Sequence, residues 1–368
     1  MRLRIMKIVK ALMISLILAP PVSTFAYDLN EKLSLEATIT GVYQYYNRPG
    51  DADDPSRGVG VTDVGLNFHP TENDEFKLKG SYTNQDGLNE VSPFSLVPYA
   101  DDLRECLKHI NSRDRSYLLE AWYKHKFIFS PNSSLSITGG IIDSTCYIDD
   151  NAFANDELTQ FMNEIFVNHR HCNLPSYDVG GVAELEIANF SLRALGMVSK
   201  NEENKRYNYY AGQLGYKADT PLGEGNYRIY GFVTSDKFLD WNGKRYEPLR
   251  GGGISLDQKL SEIIGVFARL GWQDDQAAID YAQNYSCGLN INGKLWGRGE
   301  DEIGVGYAYL KGAGKSEIDH THATEVYTKF QVCDFSDLTL DIQYLKDNIE
   351  NEADPEGFIY GIRLNTYF

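Results

Sequence analysis

The chain ends in YGIRLNTYF, residues 360–368, an alternating segment that closes on an aromatic residue. Successive side chains of a β-strand point to opposite faces. One face of this segment is apolar except for Thr366, and it carries Tyr360, Ile362, Leu364 and Phe368. The other face carries Gly361, Arg363 and Asn365. One face suits lipid and the other suits water, which is typical of strands in bacterial outer-membrane barrels. A soluble sheet protein can also end in an apolar strand, so this segment alone leaves both classes open.

The other end of the chain has the pattern of a secretory signal peptide. Small residues, Thr24 and Ala26, stand at the cleavage positions, and the apolar run 11–19 follows four basic residues, Arg2, Arg4, Lys7 and Lys10. This run is too short to span a bilayer, and no other apolar stretch reaches about 18 residues, which excludes a helical membrane protein. We predict cleavage after Ala26, with residues 27–368 forming one outer-membrane barrel domain.

The net charge of the mature chain limits the classes of molecule that it can bind. The full chain has 35 basic and 52 acidic side chains, and loss of the four leader cations leaves 31 against 52, a net charge of −21. Such a chain repels the phosphates of nucleic acids and has no clustered basic arm, so nucleic-acid binding is excluded. Cations and neutral solutes are the expected partners.

Alternation along the chain predicts an all-β fold, a transmembrane antiparallel barrel of sixteen strands. The strands are expected near residues 33–46, 59–68, 75–83, 117–128, 134–142, 177–187, 190–199, 207–217, 226–235, 250–259, 262–272, 283–292, 302–311, 321–332, 337–346 and 357–368. The links between them alternate between short and long. Short periplasmic turns that face long external loops are the outer-membrane arrangement, and this places both termini in the periplasm.

Four segments resemble the carbohydrate-selective porin family typified by OprB. They are Asn151–Phe161 (NAFANDELTQF), Val266–Trp272 (VFARLGW), Leu295–Arg298 (LWGR) with Asp301 and Gly304, and Thr339–Tyr344 (TLDIQY). The resemblance runs from about residue 117 to residue 368. It implies a sixteen-stranded barrel that passes sugars through the bacterial outer membrane, as a monomer or a homotrimer. The expected partners are small sugars and ions, outer-membrane lipids and lipopolysaccharide, and the barrel assembly machinery, which would read Phe368. No cofactor is expected.

A sugar path needs charged hydrogen-bonding groups for hydroxyls and aromatic platforms for the flat C–H faces. The water-facing parity offers Glu120, Trp122, Lys124, Arg228, Tyr230, Arg269, Glu325, Tyr327, Lys329, Gln331, Asp341, Gln343 and Arg363. We favour Trp122, Arg269, Glu325 and Arg363 as the residues that contact solute. The alternative is that these charged groups only line a water-filled barrel and hold its wall by mutual ion pairs.

The external loop 143–176 is the other candidate determinant of passage. Its stretch 155–166 has apolar residues at helical spacing, Leu158, Phe161, Met162 and Ile165, which predicts a short amphipathic helix. If the loop folds into the barrel, its acids would make the constriction negative; these are Asp149, Asp150, Asp156, Glu157 and Glu164. The alternative is a flap on the outer surface.

Five cysteines are unusual in an exported barrel, and their odd number leaves at least one thiol unpaired. Cys146 and Cys172 lie at the two ends of the constriction loop, and an oxidising compartment permits a disulfide between them. The histidines at 169, 171, 320 and 322 lack a spaced second ligand set, so no metal site is predicted.

Three classes of function remain. A passive solute channel, selective for sugars or general and cation-preferring, is favoured. A barrel enzyme would need a nucleophile motif such as Gly-x-Ser-x-Gly or His-Glu-x-x-His, and the sequence has neither. An adhesin or structural barrel would usually have longer loops and a plugged lumen.

Overall fold

The computed structural model describes residues 27–50, 54–103, 118–168, 173–351 and 353–368. Within them, sixteen antiparallel strands close into one barrel, in which the last strand pairs with the first. In chain order, β1 to β16 are Leu33–Asn47, Ser56–Thr71, Asp74–Thr83, Leu118–Ser130, Ser133–Ile142, Asp178–Ile187, Phe190–Lys200, Arg206–Thr220, Gly223–Thr234, Arg250–Lys259, Ile264–Gln273, Tyr281–Asn292, Glu302–Gly312, Ile318–Cys333, Ser336–Ile349 and Glu356–Tyr367. The predicted sixteen-stranded antiparallel barrel is confirmed.

Alternation sorts the side chains between lipid and lumen. On β16, Phe358, Tyr360 and Ile362 are exposed on the outer face, while Arg363 and Asn365 are fully buried inside. β16 closes the barrel against β1 in a register that sets Ile362 opposite Tyr43, so the outer face continues as an apolar surface across the seam. A shift of one residue would exchange the two faces of a strand, and the burial of Arg363 therefore helps to fix the register.

Small elements decorate the barrel. The strand Tyr27–Asn30 pairs with the start of β1, and Phe238–Leu239 pairs with Tyr246–Glu247 in the loop between β9 and β10. The helical segments of the described residues are the 3₁₀ turns Gly87–Glu90, Ser144–Cys146 and Gly293–Trp296 and the α-helical turn Glu164–Val167. In the part of the chain that the structure describes, no helix is both long and apolar enough to cross a membrane.

The prediction of a helix over residues 155–166 was wrong, because only Glu164–Val167 is helical. The Asp156 carboxylate accepts bonds from the Leu158 amide at 2.8 Å and from the Thr159 hydroxyl at 2.6 Å, which forms a local turn in place of a helix. The apolar residues of the predicted helix, Phe161, Met162 and Ile165, are nevertheless buried. The spacing of these apolar residues therefore indicated correctly that they are buried, although they do not form a helix.

Two loops fold into the barrel and form its core. They are the β3–β4 loop, described over 84–103, and the β5–β6 loop, described over 143–168 and 173–177. In the β5–β6 loop, the ring centroid of Phe161 lies 4.9 Å from that of Phe166 and 4.9 Å from that of Tyr327 on the inner wall. The loop therefore lies inside the barrel and does not form a surface flap.

Glycines on the inner wall allow this close approach. A Cβ atom added to Gly306 would lie 2.8 Å from the ring of Phe166, and one added to Gly265 would lie 2.2 Å from the ring of Phe153. Both distances are shorter than carbon atoms tolerate. The aromatic rings of the β5–β6 loop can lie directly on the wall only because these two inward positions lack side chains.

Candidate channel and constriction

A fully buried ion pair fastens the β5–β6 loop to the wall. The Arg269 guanidinium on β11 lies 2.9 Å from the Asp149 carboxylate, and neither side chain is accessible to solvent. Arg269 also donates to the backbone carbonyls of Phe166, at 2.9 Å, and Ala154. An arginine suits this role because its fixed fork of donors binds several acceptors at once. Arg269 therefore holds the loop and is closed off from the open passage.

Residues of β14 and β15 bind the same loop. The Glu325 carboxylate accepts hydrogen bonds from the backbone amides of Met162, at 2.5 Å, and Asn163, at 3.0 Å. The Gln343 side chain accepts from the Asn163 amide group at 3.1 Å and donates to the carbonyl of Pro98 in the β3–β4 loop at 2.9 Å. Both side chains are fully buried, so they too support the loops from beneath.

Arg363 completes this set of anchors on β16. Its guanidinium donates to the carbonyls of Glu157, at 2.5 Å, and Gln160, at 3.0 Å. Three of the four residues that we favoured for solute contact, Arg269, Glu325 and Arg363, thus lie under the inserted loops. They bind backbone amides and carbonyls of the loop, which need hydrogen-bond partners once they are buried.

The two inserted loops also bind each other. The Ala100 amide donates to the Met162 carbonyl at 2.9 Å, and the Val97 amide donates to the Glu164 carboxylate at 2.9 Å. Glu164, predicted as a constriction acid, therefore joins the loops. The loops form one body that covers the inner wall along β11 and β14 to β16.

The open part of the lumen lies on the opposite wall, where inward side chains keep partial exposure. It carries four cations: Lys77 and Lys79 on β3, Lys124 on β4 and Arg193 on β7. Three of them form ion pairs within 3.2 Å, Lys79 with Asp63, Lys124 with Glu184, and Arg193 with Asp150. Lys77, Lys79, Asp63 and Arg193 were not singled out from the sequence. They could have been found from the sequence, because they lie at inward-facing positions of alternating strands, the same property that identified Lys124.

Trp122 lies between these pairs on β4. Its indole nitrogen donates to the Glu120 carboxylate at 2.7 Å, and its cross-strand neighbours are Lys77 and Gly140. Trp122 is only partly buried. Of the four favoured residues, it is the one that keeps partial exposure, on a part of the inner wall away from the inserted loops' anchors.

A polar cavity of about 280 Å³ opens farther along this wall, between β7, β9 and the β5–β6 loop. Asp150 of the loop lies 2.9 Å from Arg193 and 2.8 Å from Arg228, which in turn lies 2.7 Å from Asp257. Of the other predicted lumen residues, Tyr230 is buried in the apolar cluster on β5 to β9, and Lys329 is half-buried on β14 opposite Glu302.

Carboxylates of the inserted loops face the cationic wall. Burial, together with the neighbouring Asp101 charge, raises the pKa of Asp102 to about 8, and burial raises the pKa of Asp101 to about 6. Burial also raises the pKa of Glu157 well above its usual range. The Tyr99 hydroxyl donates to Asp101 at 2.6 Å, and the Tyr177 hydroxyl donates to Asp102. The Lys79 charge on the wall acts on both Asp101 and Asp102, so these loop acids lie within electrostatic range of a wall cation.

The predicted disulfide partner Cys172 lies outside the described residues, as do the predicted signal peptide 1–26 and the histidines at 169 and 171. Cys146 is exposed at the end of the Ser144–Cys146 turn, and the pairing stays a prediction. Among the described residues, no three His, Cys, Asp or Glu side chains are grouped so that they could hold a metal ion.

Replacement of Arg269 should release the loop. Arg269→Met leaves Asp149 buried without its partner, which costs about 3–5 kcal/mol, and it also removes the donors to two carbonyls. We expect faster proteolysis within residues 143–168 and a larger single-channel conductance in planar bilayers.

Two further variants control this experiment. Lys294→Met removes an exposed cation on the turn between β12 and β13, away from the lumen, and should change neither result. The double variant Asp149→Asn with Arg269→Met should recover part of the loss, because no uncompensated charge remains. Unchanged proteolysis and conductance in Arg269→Met would show that the loop is held by other contacts.

The raised pKa values predict that ion selectivity depends on pH. As pH rises from 5 to 9, Asp101 and then Asp102 lose protons, so negative charge enters the passage and the preference for cations over anions should increase. The folded state binds these protons more tightly than the unfolded chain does, so these groups should make stability decline as pH rises from about 4 to about 8. Reversal potentials across a salt gradient measure the first effect. Asp102→Asn should flatten the upper part of the profile, whereas a change at the exposed Asp236, Asp236→Asn, should not.

Comparison with known proteins agrees with this architecture. The chain matches the model of the carbohydrate-selective porin, OprB family, over residues 56–368. A protein of Aquifex aeolicus (strain VF5), described as uncharacterized, is 31% identical over 273 residues, which cover 74% of this chain and 75% of that protein. The high-pH structure of Pseudomonas putida OprB has the same fold with a TM-score of 0.73, and the low-pH structure has a TM-score of 0.57; each is 13% identical and covers 92% of this chain and 94% of the other. The chain therefore belongs to the OprB family of carbohydrate-selective porins, which are channels of the outer membrane.

Proposed function

We propose that the protein is a passive diffusion channel for carbohydrates and other small hydrophilic solutes. The observation that carries this proposal is the position of Trp122 beside the open passage, among paired charges. A pyranose presents a flat C–H face and a rim of hydroxyls. An indole with ion pairs on either side supplies a surface for the first and donors and acceptors for the second.

The local charge balance supports a neutral solute. Along the open wall, Lys79, Lys124 and Arg193 are each bound to a carboxylate, so this surface offers strong hydrogen-bonding groups with little net charge. Charge-assisted hydrogen bonds are stronger than neutral ones, which compensates a sugar hydroxyl for the water that it loses. The bond to Glu120 and the small neighbour Gly140 hold Trp122 in one place, so little side-chain entropy is lost on contact.

A general, cation-preferring porin is the second candidate. Asp101 and Asp102 on the inserted loops favour it at pH values above their raised pKa, about 6 for Asp101 and about 8 for Asp102, because their ionised carboxylates then add negative charge near the wall. The two functions differ in one measurable property. A sugar-selective channel has a saturable site, whereas a general channel does not.

Sugar block should depend on Trp122. If the proposal holds, glucose or a short oligosaccharide blocks ion current saturably, and Trp122→Ala weakens the block about fivefold, the effect of losing roughly 1 kcal/mol of stacking. Open conductance should change little. Trp272→Ala is the matched control, since Trp272 is an exposed tryptophan on the outer face of β11. A linear dependence on sugar concentration, unchanged in both variants, would instead indicate the general porin.

We also propose that both termini face the periplasm after cleavage at Ala26 and that the assembly machinery binds the C-terminal strand. Phe368 is exposed, and its amide is bonded to the Ala37 carbonyl at 2.8 Å, so the last residue lies on the edge of the barrel seam.

Surface labelling tests this orientation. A short tag inserted after Gly243, in the β9–β10 loop, should be labelled on intact cells, whereas a tag at Leu222, in the β8–β9 turn, should be labelled only after the outer membrane is opened. Both positions are open to solvent, so the tags should disturb the barrel little. Labelling at Leu222 alone on intact cells would reverse the orientation.

A further inference from the structure

The outer face of β13 to β15 changes character in successive cross-strand rows toward the loop end of the barrel. The lowest of these rows is apolar and includes Val326 opposite Ile342. The next row is largely aromatic and contains Tyr307 and Tyr344, and the two rows above it contain cationic and imidazole side chains. The rows are fixed by strand register, so their order is a property of the fold. Such an order matches the passage from acyl chains through the membrane interface to headgroups.

Four side chains in the two upper rows form what we call the outer basic patch: Lys311, His320, His322 and Lys346. Lys311 pairs across the strands with His320, and His322 pairs with Lys346. The ring centroids of the two histidines are 5.1 Å apart, and the Tyr307 hydroxyl lies 2.8 Å from Nδ1 of His322. Donors from three neighbouring strands are thus gathered on one area of the lipid-facing surface.

Two carboxylates lie beside the patch. Asp319 is 2.8 Å from Nδ1 of His320, and Glu356 is 3.0 Å from the Lys346 ammonium. Lys311 is exposed and forms no ion pair with any described residue. Nδ1 of His320 donates to the Asp319 carboxylate, so Nε2 of the neutral ring is an acceptor. Nδ1 of His322 can accept from the Tyr307 hydroxyl, which leaves its Nε2–H as a donor. The Lys311 ammonium, the Nε2–H group of His322 and the remaining donors of Lys346 are therefore available to an anion. The mature chain carries a net charge of −21, so an anionic lipid would be repelled by most of the protein and needs such a local cluster.

We propose that the outer basic patch binds a phosphate of the lipid A headgroup of lipopolysaccharide in the outer leaflet. A phosphate has several acceptor oxygens and forms strong charge-assisted hydrogen bonds with lysine ammonium groups. The aromatic and apolar rows directly below accommodate the acyl chains of the same molecule. A phosphorylated lipid can contact both the patch and the apolar rows below it, whereas free phosphate can contact only the patch. The assignment to lipid A rests on the proposed orientation, with the loops outside the cell.

Lipid binding to the purified barrel tests the proposal. The mature protein in detergent is titrated with diphosphoryl lipid A, and native mass spectrometry counts the lipids retained. The double variant Lys311→Gln with Lys346→Gln should lower the affinity at least tenfold, while Lys311→Arg should keep it. Arg250→Gln is the matched control, because Arg250 lies at the same end of the barrel and is paired with Asp274. An unshifted heat-modifiable band confirms that each variant is folded.

The outcomes separate the possible occupants. Loss of diphosphoryl lipid A binding in the double variant, with Arg250→Gln unaffected and free inorganic phosphate bound far more weakly, supports the site. Equal retention in all variants overturns it. Equal binding of phosphatidylglycerol would mean a general attraction of anionic lipids, and oligomers that dissociate only in the double variant would mean a contact between copies of the chain; both results also overturn it. None of these measurements uses sugar, so the outcome is independent of the proposed solute.

Discussion

Every backbone amide and carbonyl that crosses the hydrocarbon layer must be paired within the protein, and only a closed sheet of strands can achieve this with β-structure. Here β16 meets β1 and removes the last free edge. Closure has a second consequence. Sixteen tilted strands enclose more space than inward side chains can fill. The interior must therefore be occupied by water or by other parts of the chain, and in this protein the two longest loops take up much of it.

A loop without regular structure brings unpaired backbone groups into the barrel, so the wall has to provide partners. Arg269, Glu325 and Arg363 do so by binding loop amides and carbonyls, and each is fully buried. Charged residues suit this task because one side chain serves several backbone groups. The cost of burying them is offset by pairing, as between Arg269 and Asp149. These side chains therefore bind the loop and hold it against the wall. The passage is consequently displaced to the wall formed by β3, β4 and β7.

This arrangement explains what could be predicted from the sequence. Strand positions and inward or outward parity are local properties, so all sixteen strands and the inward side chains of β1 and β16 follow from alternation alone. The position of the solute path, in contrast, depends on contacts between residues that are far apart in the sequence. Arg269 and Trp122 have the same parity, but a loop more than 100 residues from Arg269 in sequence covers one and leaves the other open. The helix predicted at 155–166 was wrong for a related reason. The apolar residues are spaced so that they contact the barrel wall, and this spacing does not require a helix. Side chains, Asp156 within the loop and Glu325 on the wall, accept hydrogen bonds from the loop amides.

Net charge is likewise a poor guide to the passage. The chain is strongly acidic, yet the open wall carries four cations, and each of them forms an ion pair with a carboxylate. Most of the other acids lie outside the inserted loops, and within the loops burial favours the protonated form of Asp102. A solute in the passage experiences the groups within about a Debye length, roughly 8 Å at physiological salt, and charges elsewhere on the barrel are screened. Selectivity is therefore determined by the few residues that face each other across the gap, and the total charge of the chain mainly governs its contacts with other macromolecules and with the membrane surface.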